Sequence, residues 1–492
     1  MLILLAPALA APPVLATARR APTPLPALAG ASWWPVLHAG DDVAGVDFGA
    51  APEGTPDGAD ANTLRLVDGH LQLVTHFERG AGAIFVTELI RDPARGFRAV
   101  RTSRVEDGVE SVYNPCAAGL APWGAHLGSE EYEPDANALE PSGAMRTPID
   151  RGWGMEEEAD NGWNARVAAL PAASTPYRHG WLTEVRVDGA GASTFARRYA
   201  IGRFSHEMTV AVDARTLYLS DDQRMGGGLY RFVADADADL SAGRLEAAKW
   251  TPASGASIGS ITWVDLGHVT EAEIAPAVEH PPRFDELFWR DPLTDAGCAR
   301  GTAVVTGSGK ECLELVPSQR VVASRLETRR YAALQGATTS FPKEEGLAWD
   351  PAHGTLWVAW SSVPSPLAAV LGVPANPCGM VVAIDVASGV ARTELAGVVT
   401  GPGRCAADAI ANPDNLVWAP ELNTLFVAED GGQHGHNRLW AWKGGALTAV
   451  LASQPSAEIS GLSWVHVAGE GWLTMSLQDE DRASAVGFIG PF

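Results

Sequence analysis

The sequence predicts an all-β protein that repeats one strand-pair plan along the chain. The stretches "EMTVAVDARTLYLSDD", "EGLAWDPAHGTLWVAW" and "DNLVWAPELNTLFVAED", which start at Glu207, Glu345 and Asp414, each place an acid before an apolar strand, a turn and a second apolar strand. Their residues follow the period of two that is typical of strands rather than a helical period. Each stretch also precedes a further strand, as in "GGLYRFVA", "GMVVAIDV" and "NRLWAWKG".

A fourth copy of the plan is "GLSWVHVAGEGWLTMSLQ", which starts at Gly461 and has Glu458 just ahead of it. Repeated units of this kind predict the blades of a β-propeller. The longer irregular segments, roughly Glu133 to Arg178 and Ala234 to Val304, are then expected to form loops or small subdomains over one face. We predict a single propeller domain over residues 31–492.

The N-terminal stretch "MLILLAPALAAPPVLATARRAP" has an apolar core, alanine-rich exits and a proline-rich continuation up to Pro26. This pattern indicates an export signal and tether over residues 1–30, and therefore a periplasmic or secreted protein. No later stretch approaches the roughly 20 apolar residues needed to cross a bilayer, so no integral membrane segment is expected in the mature chain.

The charge balance argues against one class of partner. Asp and Glu number 59 against 36 Lys and Arg, the net charge is -23, and there is no long run of basic residues. Binding to nucleic acid is therefore not expected. The surplus of carboxylates suits divalent and trivalent cations, although a solvated acidic surface explains it equally well.

The chain has five cysteines, an odd number for an exported protein. Cys298 and Cys312 flank a short polar loop, and Cys378 and Cys405 flank a candidate hairpin, so two disulfides are plausible in an oxidising compartment. That pairing leaves Cys116, either as a buried inert thiol or as a ligand.

The repeated acids carry a chemical implication. In a propeller the innermost strands line the channel, so Glu207, Glu345 and Asp414 would point toward one axial space. Each acid alone could be a solvated strand end. Three carboxylates at one mouth repel each other, and a bound cation would relieve that repulsion.

The stretch "NPCAAGLAPWGAHLGSEE" places Cys116 before the adjacent pair Glu130 and Glu131 on a glycine-broken loop. Oxygen ligands suit calcium (Ca2+) or ferric iron (Fe3+), whereas a thiolate favours a transition metal. A mixed site, with iron near the sulfur and calcium among the carboxylates, fits both sets. Such a site could bind an anionic oxygen ligand and activate an oxygen nucleophile.

These stretches together resemble a known family. The Cys116 block, then "GRFSHEMTVAVD", "LYLSDD", "GGLYRFV", "FPKEEGLAWD", "NPDNLVWAPELNTLFVAEDGG" and "EISGLSWV", with Gln478 beyond, is similar to the ordered motifs of the PhoX-type alkaline phosphatases. The resemblance implies a six-bladed propeller, an iron-calcium cluster at one end of its channel, and hydrolysis of small-molecule phosphate monoesters.

The resemblance also implies roles for individual residues. Cys116 would be an iron-bridging thiolate. The metal ligands would be Glu131, Glu207, Glu345 and Asp414. Three further acids match the family's motifs more weakly and would either bind the metals or contact the metal ligands: Glu130, Asp430 and Glu458. Lys343 stands where the family has a phosphate-gripping arginine, and we expect it to offset charge on the phosphoryl group. Glu344 stands where the family tends to have proline.

Two other functions stay open from the residues. A calcium-dependent propeller hydrolase acting on lactones would use the acids and leave Cys116 a bystander. A non-catalytic propeller would use its acidic face to bind a partner. Among competing motifs, Ser257 in "GASIG" precedes an apparent strand and is not expected to be a nucleophile. His434 and His436 in "GGQHGHN" are interpreted as residues of a solvated loop.

Overall fold

The computed structural model describes the chain except for residues 1–10, 51–57, 107–111, 139–174, 224–225, 254, 256, 295–296, 307–308, 456 and 480–482. The first third of the expected export signal and most of the segment from Glu133 to Arg178 therefore lie outside the described residues.

Strands dominate the described part of the chain. Their bounds are β1 Val14–Leu15, β2 Thr23–Pro24, β3 Ser32–His38, β4 Asp42–Val43, β5 Val46–Asp47, β6 Ala59–Val67, β7 His70–Phe77, β8 Ala83–Asp92, β9 Gly96–Arg104, β10 Ala118–Leu120, β11 His126–Gly128, β12 Thr183–Val187, β13 Ser193–Arg197, β14 His206–Ala211, β15 Thr216–Asp221, β16 Tyr230–Ala236, β17 Asp239–Pro252, β18 Gly259–Thr270, β19 Phe288–Asp291, β20 Thr302–Thr306, β21 Gly309–Leu315, β22 Glu344–Asp350, β23 Thr355–Trp360, β24 Met380–Asp385, β25 Val390–Ala396, β26 Val399–Gly401, β27 Arg404–Cys405, β28 Pro413–Ala419, β29 Thr424–Glu429, β30 Arg438–Lys443, β31 Ala446–Ser453, β32 Ala457–Val467, β33 Glu470–Asp479 and β34 Ala485–Gly490.

Helices are short and lie between strands. The α-helices are α1 Glu271–Glu279, α2 Phe284–Leu287, α3 Arg320–Leu326, α4 Thr328–Leu334 and α5 Ser365–Leu371, and single 3-10 turns cover Ala136–Ala138, Pro176–Arg178, Tyr199–Ile201, Pro317–Gln319 and Pro420–Leu422. Among the described residues, no helix is long and apolar enough to cross a membrane.

The sheets are antiparallel meanders whose first strands form a closed ring. Within each group, neighbouring strands follow one another in the chain, except that β3 completes the last group. The groups are β6-β7-β8-β9, β10-β11-β12-β13, β14-β15-β16-β17-β18, β22-β23-β24-β25, β28-β29-β30-β31 and β32-β33-β34-β3. Their first strands, which we call the inner strands, are β6, β10, β14, β22, β28 and β32. Each inner strand contacts the next, and β32 contacts β6.

This ring confirms the prediction of an all-β propeller. The N-terminal strand β3 pairs with β34, so the last sheet is completed by the beginning of the chain. The groups that begin with β14 and β22 are joined through a short β18–β25 pairing into one nine-stranded sheet. The number of six blades therefore stays a prediction.

Burial between neighbouring sheets holds the ring together. Trp357 and Val381 of one sheet pack with Leu416, Trp418 and Trp440 of the next, and all five are largely buried. Aromatic and β-branched side chains favour such strands because they cover both faces of a half-buried sheet. Both expected disulfides, Cys298–Cys312 and Cys378–Cys405, are present, and Cys116 is a free thiol.

The segment from Ala234 to Val304 is only partly an insertion, because β17 and β18 extend the sheet that begins with β14. The long hairpin β17–β18 leads into α1, which begins with a capping box in which Glu273 accepts a hydrogen bond from the Thr270 N–H. The sheet β19-β21-β20 and helices α3 and α4 complete the insertion.

The described part of the expected N-terminal tether packs on the propeller. Val14–Leu15 pair in parallel with the end of β31, and Thr23–Pro24 pair with β3. The Leu15 side chain is buried, and the Thr17 N–H donates to the side chain of Gln454. The boundary at residue 30 stays a prediction.

Candidate metal centre

Five of the six inner strands begin in the same way, with an acid as their second residue. These acids are Asp60 in β6, Glu207 in β14, Glu345 in β22, Asp414 in β28 and Glu458 in β32. Because equivalent strands are arranged around one channel, the same position in each strand points into a common space.

A β-bulge accompanies this acid in four of the five strands. The pairing register shifts between Ala59 and Asn62, His206 and Thr209, Glu344 and Leu347, and Pro413 and Leu416. A bulge adds a residue to one strand and re-aims its side chain. The start of each strand can therefore turn its acid toward the channel, whereas the following residues return to regular pairing.

The sixth inner strand, β10, has no acid at its start, and a single residue separates it from Cys116. Asn114, which precedes this turn, has a left-handed backbone with φ of 38°, and its N–H donates to the Arg79 carbonyl at 2.6 Å. Its side-chain amide donates to Glu78 at 3.0 Å and to Glu131 at 3.2 Å. Asn114 therefore joins the Cys116 turn to two carboxylates of the same cluster.

Four groups of side chains in the described residues could each hold a metal ion, because their ligand atoms lie within 4.8 Å of one another. The groups are Asp60, Glu78 and Cys116; Cys116, Glu131 and Glu207; Glu207, Glu345 and Asp414; and Asp414, Asp430 and Glu458. Successive groups share Cys116, Glu207 or Asp414. The four groups therefore form one continuous cluster, from Asp60 to the exposed Asp430.

Burial and mutual repulsion give this cluster unusual electrostatics. The pKa values of six members are raised well above their ordinary values, first by burial and then chiefly by neighbouring carboxylates: Asp60, Cys116, Glu131, Glu207, Glu345 and Glu458. Burial and the nearby Asp430 raise the pKa of Asp414 to about 7. Cations bound at such a cluster would replace its protons, because metal ligands bind in their deprotonated form.

The donor set fits cations. The Oε2 atom of Glu207 and the Oδ1 atom of Asp222 are buried and have no hydrogen-bond partner among the described residues. Buried carboxylate oxygens without donors are costly unless a cation satisfies them. Since eight of the cluster's nine ligand groups are carboxylates and one is a thiol, hard cations with one transition-metal position match the chemistry.

Lys343 lies at the edge of the same cluster. Its Nζ donates to Asp222 Oδ2 at 3.2 Å and to the Glu345 carboxylate. Asp222 also accepts a hydrogen bond from the Tyr132 hydroxyl at 2.9 Å. Burial lowers the pKa of Lys343, but Asp222 and Glu345 outweigh burial and raise it well above its ordinary value, so the ammonium stays charged.

Asp222 is anchored from the insertion. Its neighbour Asp221 accepts a hydrogen bond from Arg329 Nε at 2.8 Å, and Arg329 also donates to Glu133 at 2.7 Å. Arg329 belongs to α4, so the inserted helices hold the end of β15 beside the cluster.

Glu344 faces away from Lys343 and the cluster. Its Oε1 accepts a hydrogen bond from Trp360 Nε1 at 3.1 Å, and the side chain is buried. Burial, the largest cause, raises the pKa of Glu344 to about 8. The residue therefore adds no carboxylate to the cluster.

Glu130 lies outside the four groups. One of its oxygens accepts hydrogen bonds from the Tyr113 N–H and from Arg197, and the other accepts from the N–H groups of Gly180 and Trp181. Both oxygens are fully engaged and neutralised by Arg197 at 2.8 Å. This geometry favours a structural role, in which Glu130 ties Tyr113, Gly180 and Arg197 together, over a role as a metal ligand.

The structure brings together the other sequence-predicted residues, and adds three that the sequence reasoning missed. Cys116, Glu131, Glu207, Glu345, Asp414, Asp430 and Glu458 all lie in the cluster. The missed residues are Asp60, Glu78 and Asp222. Asp60 could have been found, because "DANTLRLVDGHLQLV" follows the acid-strand-turn-strand plan of the other copies. Glu78 and Asp222 directly follow second strands, as the predicted Asp430 does, so the closing acids of "LYLSDD" and "LFVAED" were a signal for this position.

The side chain of His434 in "GGQHGHN" is not solvated as predicted, whereas His436 is half-buried. His434 is buried, and its Nδ1 lies 2.9 Å from Glu429 while its Nε2 lies 3.0 Å from the Ala406 carbonyl. His436 contacts the Ser453 carbonyl at 2.8 Å. Ser257 precedes strand β18, as expected for a residue that is not a nucleophile.

A family model described as "Alkaline phosphatase PhoX" matches residues 66–471. No curated protein matches the chain.

Solved structures with similar folds include a Xanthomonas campestris gluconolactonase, which is 10% identical with a TM-score of 0.36 and covers 96% of this chain and 98% of its own. The β-propeller domain of the Trilobed protease from Pyrococcus furiosus is 8% identical with a TM-score of 0.30, covering 87% and 95%. Sqt1 from Saccharomyces cerevisiae is 8% identical with a TM-score of 0.36, covering 89% and 96%.

Proposed function

The chain belongs to the PhoX alkaline phosphatase family, and from that premise we propose that it is an exported enzyme that hydrolyses small-molecule phosphate monoesters at an iron-calcium cluster. The observation that carries the proposal is the continuous cluster of four groups that could each hold a cation, with Cys116 shared by two of them and Lys343 beside Glu345. A phosphatase needs both parts, because cations and an ammonium together can balance the charge of a phosphoryl group.

The proposed division of ligands follows their chemistry. Cys116 would hold iron in the two groups that contain it, with Asp60, Glu78, Glu131 and Glu207 as oxygen ligands. The two groups without sulfur, which share Asp414, would hold calcium. When bound, such cations would polarise phosphoryl oxygens and lower the pKa of an oxygen nucleophile.

The protein's own residues would then bind and orient the phosphate. Lys343 supplies a charged ammonium at a position fixed by Asp222 and Glu345. Tyr132 and Arg329 limit the movement of Asp222 by holding it and its neighbour. The phosphate would approach from the side of Asp430, where the cluster is exposed.

The lactonase alternative has less support from the site. It leaves Cys116 without a role, yet the Cys116 sulfur lies among the carboxylates of two groups. The binding-module alternative differs from the proposal in turnover alone, so an assay has to separate them.

The test is an assay of the purified full chain on p-nitrophenyl phosphate, its diester analogue and a small lactone. We expect hydrolysis of the monoester, loss of activity with a chelator, and recovery only when iron and calcium are added together. The variant Asp414→Asn removes a ligand shared by two groups, and the exposed Glu421→Gln is its control. Lactone opening with calcium alone would support the lactonase, and a metal-loaded chain without turnover would support the binding module.

A further inference from the structure

Two buried histidines lie directly behind the Cys116 turn. His76 Nδ1 lies 2.6 Å from the Cys116 carbonyl oxygen, and His76 Nε2 lies 2.7 Å from His126 Nε2. His126 Nδ1 in turn lies 2.8 Å from the Thr63 hydroxyl. All four ring nitrogens are therefore used, and neither ring has a nitrogen left for a metal.

The chain of contacts permits one arrangement of protons when both rings are neutral. The Cys116 carbonyl can only accept, so His76 Nδ1 carries a proton and its Nε2 has the lone pair. His126 must then donate from Nε2 and accept the Thr63 hydroxyl proton at Nδ1. These donor and acceptor roles follow from the contacts themselves, since every ring nitrogen has a partner.

The surrounding backbone leaves this pair little room to move. Thr63, His76 and His126 lie on β6, β7 and β11, and all three are buried. The imidazole rings meet edge to face with centroids 4.7 Å apart. A Cβ atom at Gly128 would lie 2.5 Å from the His76 ring, so only glycine fits there.

We propose that His76 and His126 are positioning residues that fix the peptide plane after Cys116 and thereby aim its sulfur into the cluster. The role of Cys116 as an iron ligand rests on the proposed function, whereas the orientation itself does not. By holding the carbonyl on the side of β7, the pair leaves Sγ on the side of Asp60, Glu78, Glu131 and Glu207. Groups that orient a ligand through a hydrogen bond commonly change metal affinity by about 10- to 100-fold when removed.

One experiment compares His76→Leu with His76→Asn in the full chain. The amide nitrogen of asparagine is three bonds from Cα, as Nδ1 of histidine is. Asparagine can therefore still donate to the Cys116 carbonyl, whereas leucine has no donor. We expect His76→Leu to lower iron affinity by about 10-fold and to shift the thiolate-to-iron charge-transfer band, and His76→Asn to restore both. The control is His38→Leu, which removes a buried histidine from β3. Equal losses in His76→Leu, His76→Asn and His38→Leu would overturn the proposal.

A second measurement needs no variant and no bound metal. Nitrogen-15 NMR of histidine-labelled, chelator-treated protein should show His76 protonated at Nδ1 and His126 protonated at Nε2. The opposite tautomer of either ring would overturn the proposal even if His76→Leu fails to fold. If the wild-type protein contains no iron, the proposed function fails, and the tautomers still decide whether the pair orients Cys116.

Discussion

The Nζ atom of Lys343 lies 3.2 Å from Oδ2 of Asp222 and also donates to Glu345, a carboxylate of the group that contains Glu207 and Asp414. The Lys343 ammonium thus lies between Asp222, which fixes its position, and Glu345, which would be a metal ligand. A phosphate bound at the cluster would meet this ammonium on its free side. Lysine offers a point charge there, without the paired donors of arginine.

Replacing Lys343 tests this arrangement. We expect Lys343→Met to lower kcat/KM for a phosphate monoester by about 100-fold, because an oriented charge on the transition state is lost. Lys343→Arg should lower KM by about 5-fold, because the guanidinium can bond two phosphate oxygens at once. Steady-state kinetics measure both. Unchanged kcat/KM in Lys343→Met, with metal content as in the wild type, would contradict the role.

Glu344 makes stability depend on pH. Its pKa is raised to about 8 by burial, so the folded protein favours the protonated form. Stability from this group is fully present below the unfolded pKa, near 4.5, and is lost as pH rises to about 8. Glu344→Gln should therefore stabilise the protein by roughly 2–4 kcal/mol at pH 9, since each pKa unit corresponds to about 1.4 kcal/mol, and change little at pH 4. Denaturant unfolding at both pH values checks this, and equal gains at both would contradict it.

Gly346 allows two inner strands to approach closely. A Cβ atom there would lie 2.2 Å from the Asp414 carbonyl oxygen. Gly346→Ala should push β22 from β28, separate Glu345 from Asp414, and destabilise the protein by about 1–3 kcal/mol. We expect reduced calcium binding by calorimetry, whereas Gly401→Ala, where the new methyl group meets open space, should behave as the wild type. Wild-type calcium binding in Gly346→Ala would contradict the account.

Much of the candidate site follows from the sequence because the acids recur at one place in the repeat. Glu207, Glu345 and Asp414 were predicted to share a position, and each is the second residue of an inner strand. The two disulfides follow from cysteine spacing. Asp222 lies at a different place, directly after β15, and its contacts with Lys343 and Tyr132 join residues that are far apart in sequence.

Adjacent carboxylates show a second limit. Glu130 and Glu131 are neighbours in sequence, and consecutive side chains in extended backbone point to opposite sides. Glu131 faces Cys116 and Glu207, whereas Glu130 faces Arg197. The pattern alone gives no means of choosing between them. Likewise, the proline-rich sequence after residue 10 gives no sign that Val14–Leu15 add a parallel strand to β31, because this pairing depends on an exposed sheet edge.

The most direct test of the central claim is elemental analysis of the purified full chain and of Cys116→Ser, made without added metals or chelators. The account predicts iron and calcium in the wild-type protein, each at or above about one per chain if both kinds of group are filled. It predicts that Cys116→Ser loses iron and phosphatase activity together. Iron retained in an inactive Cys116→Ser protein, or calcium without iron in the wild type, would contradict the claim that Cys116 is an iron ligand.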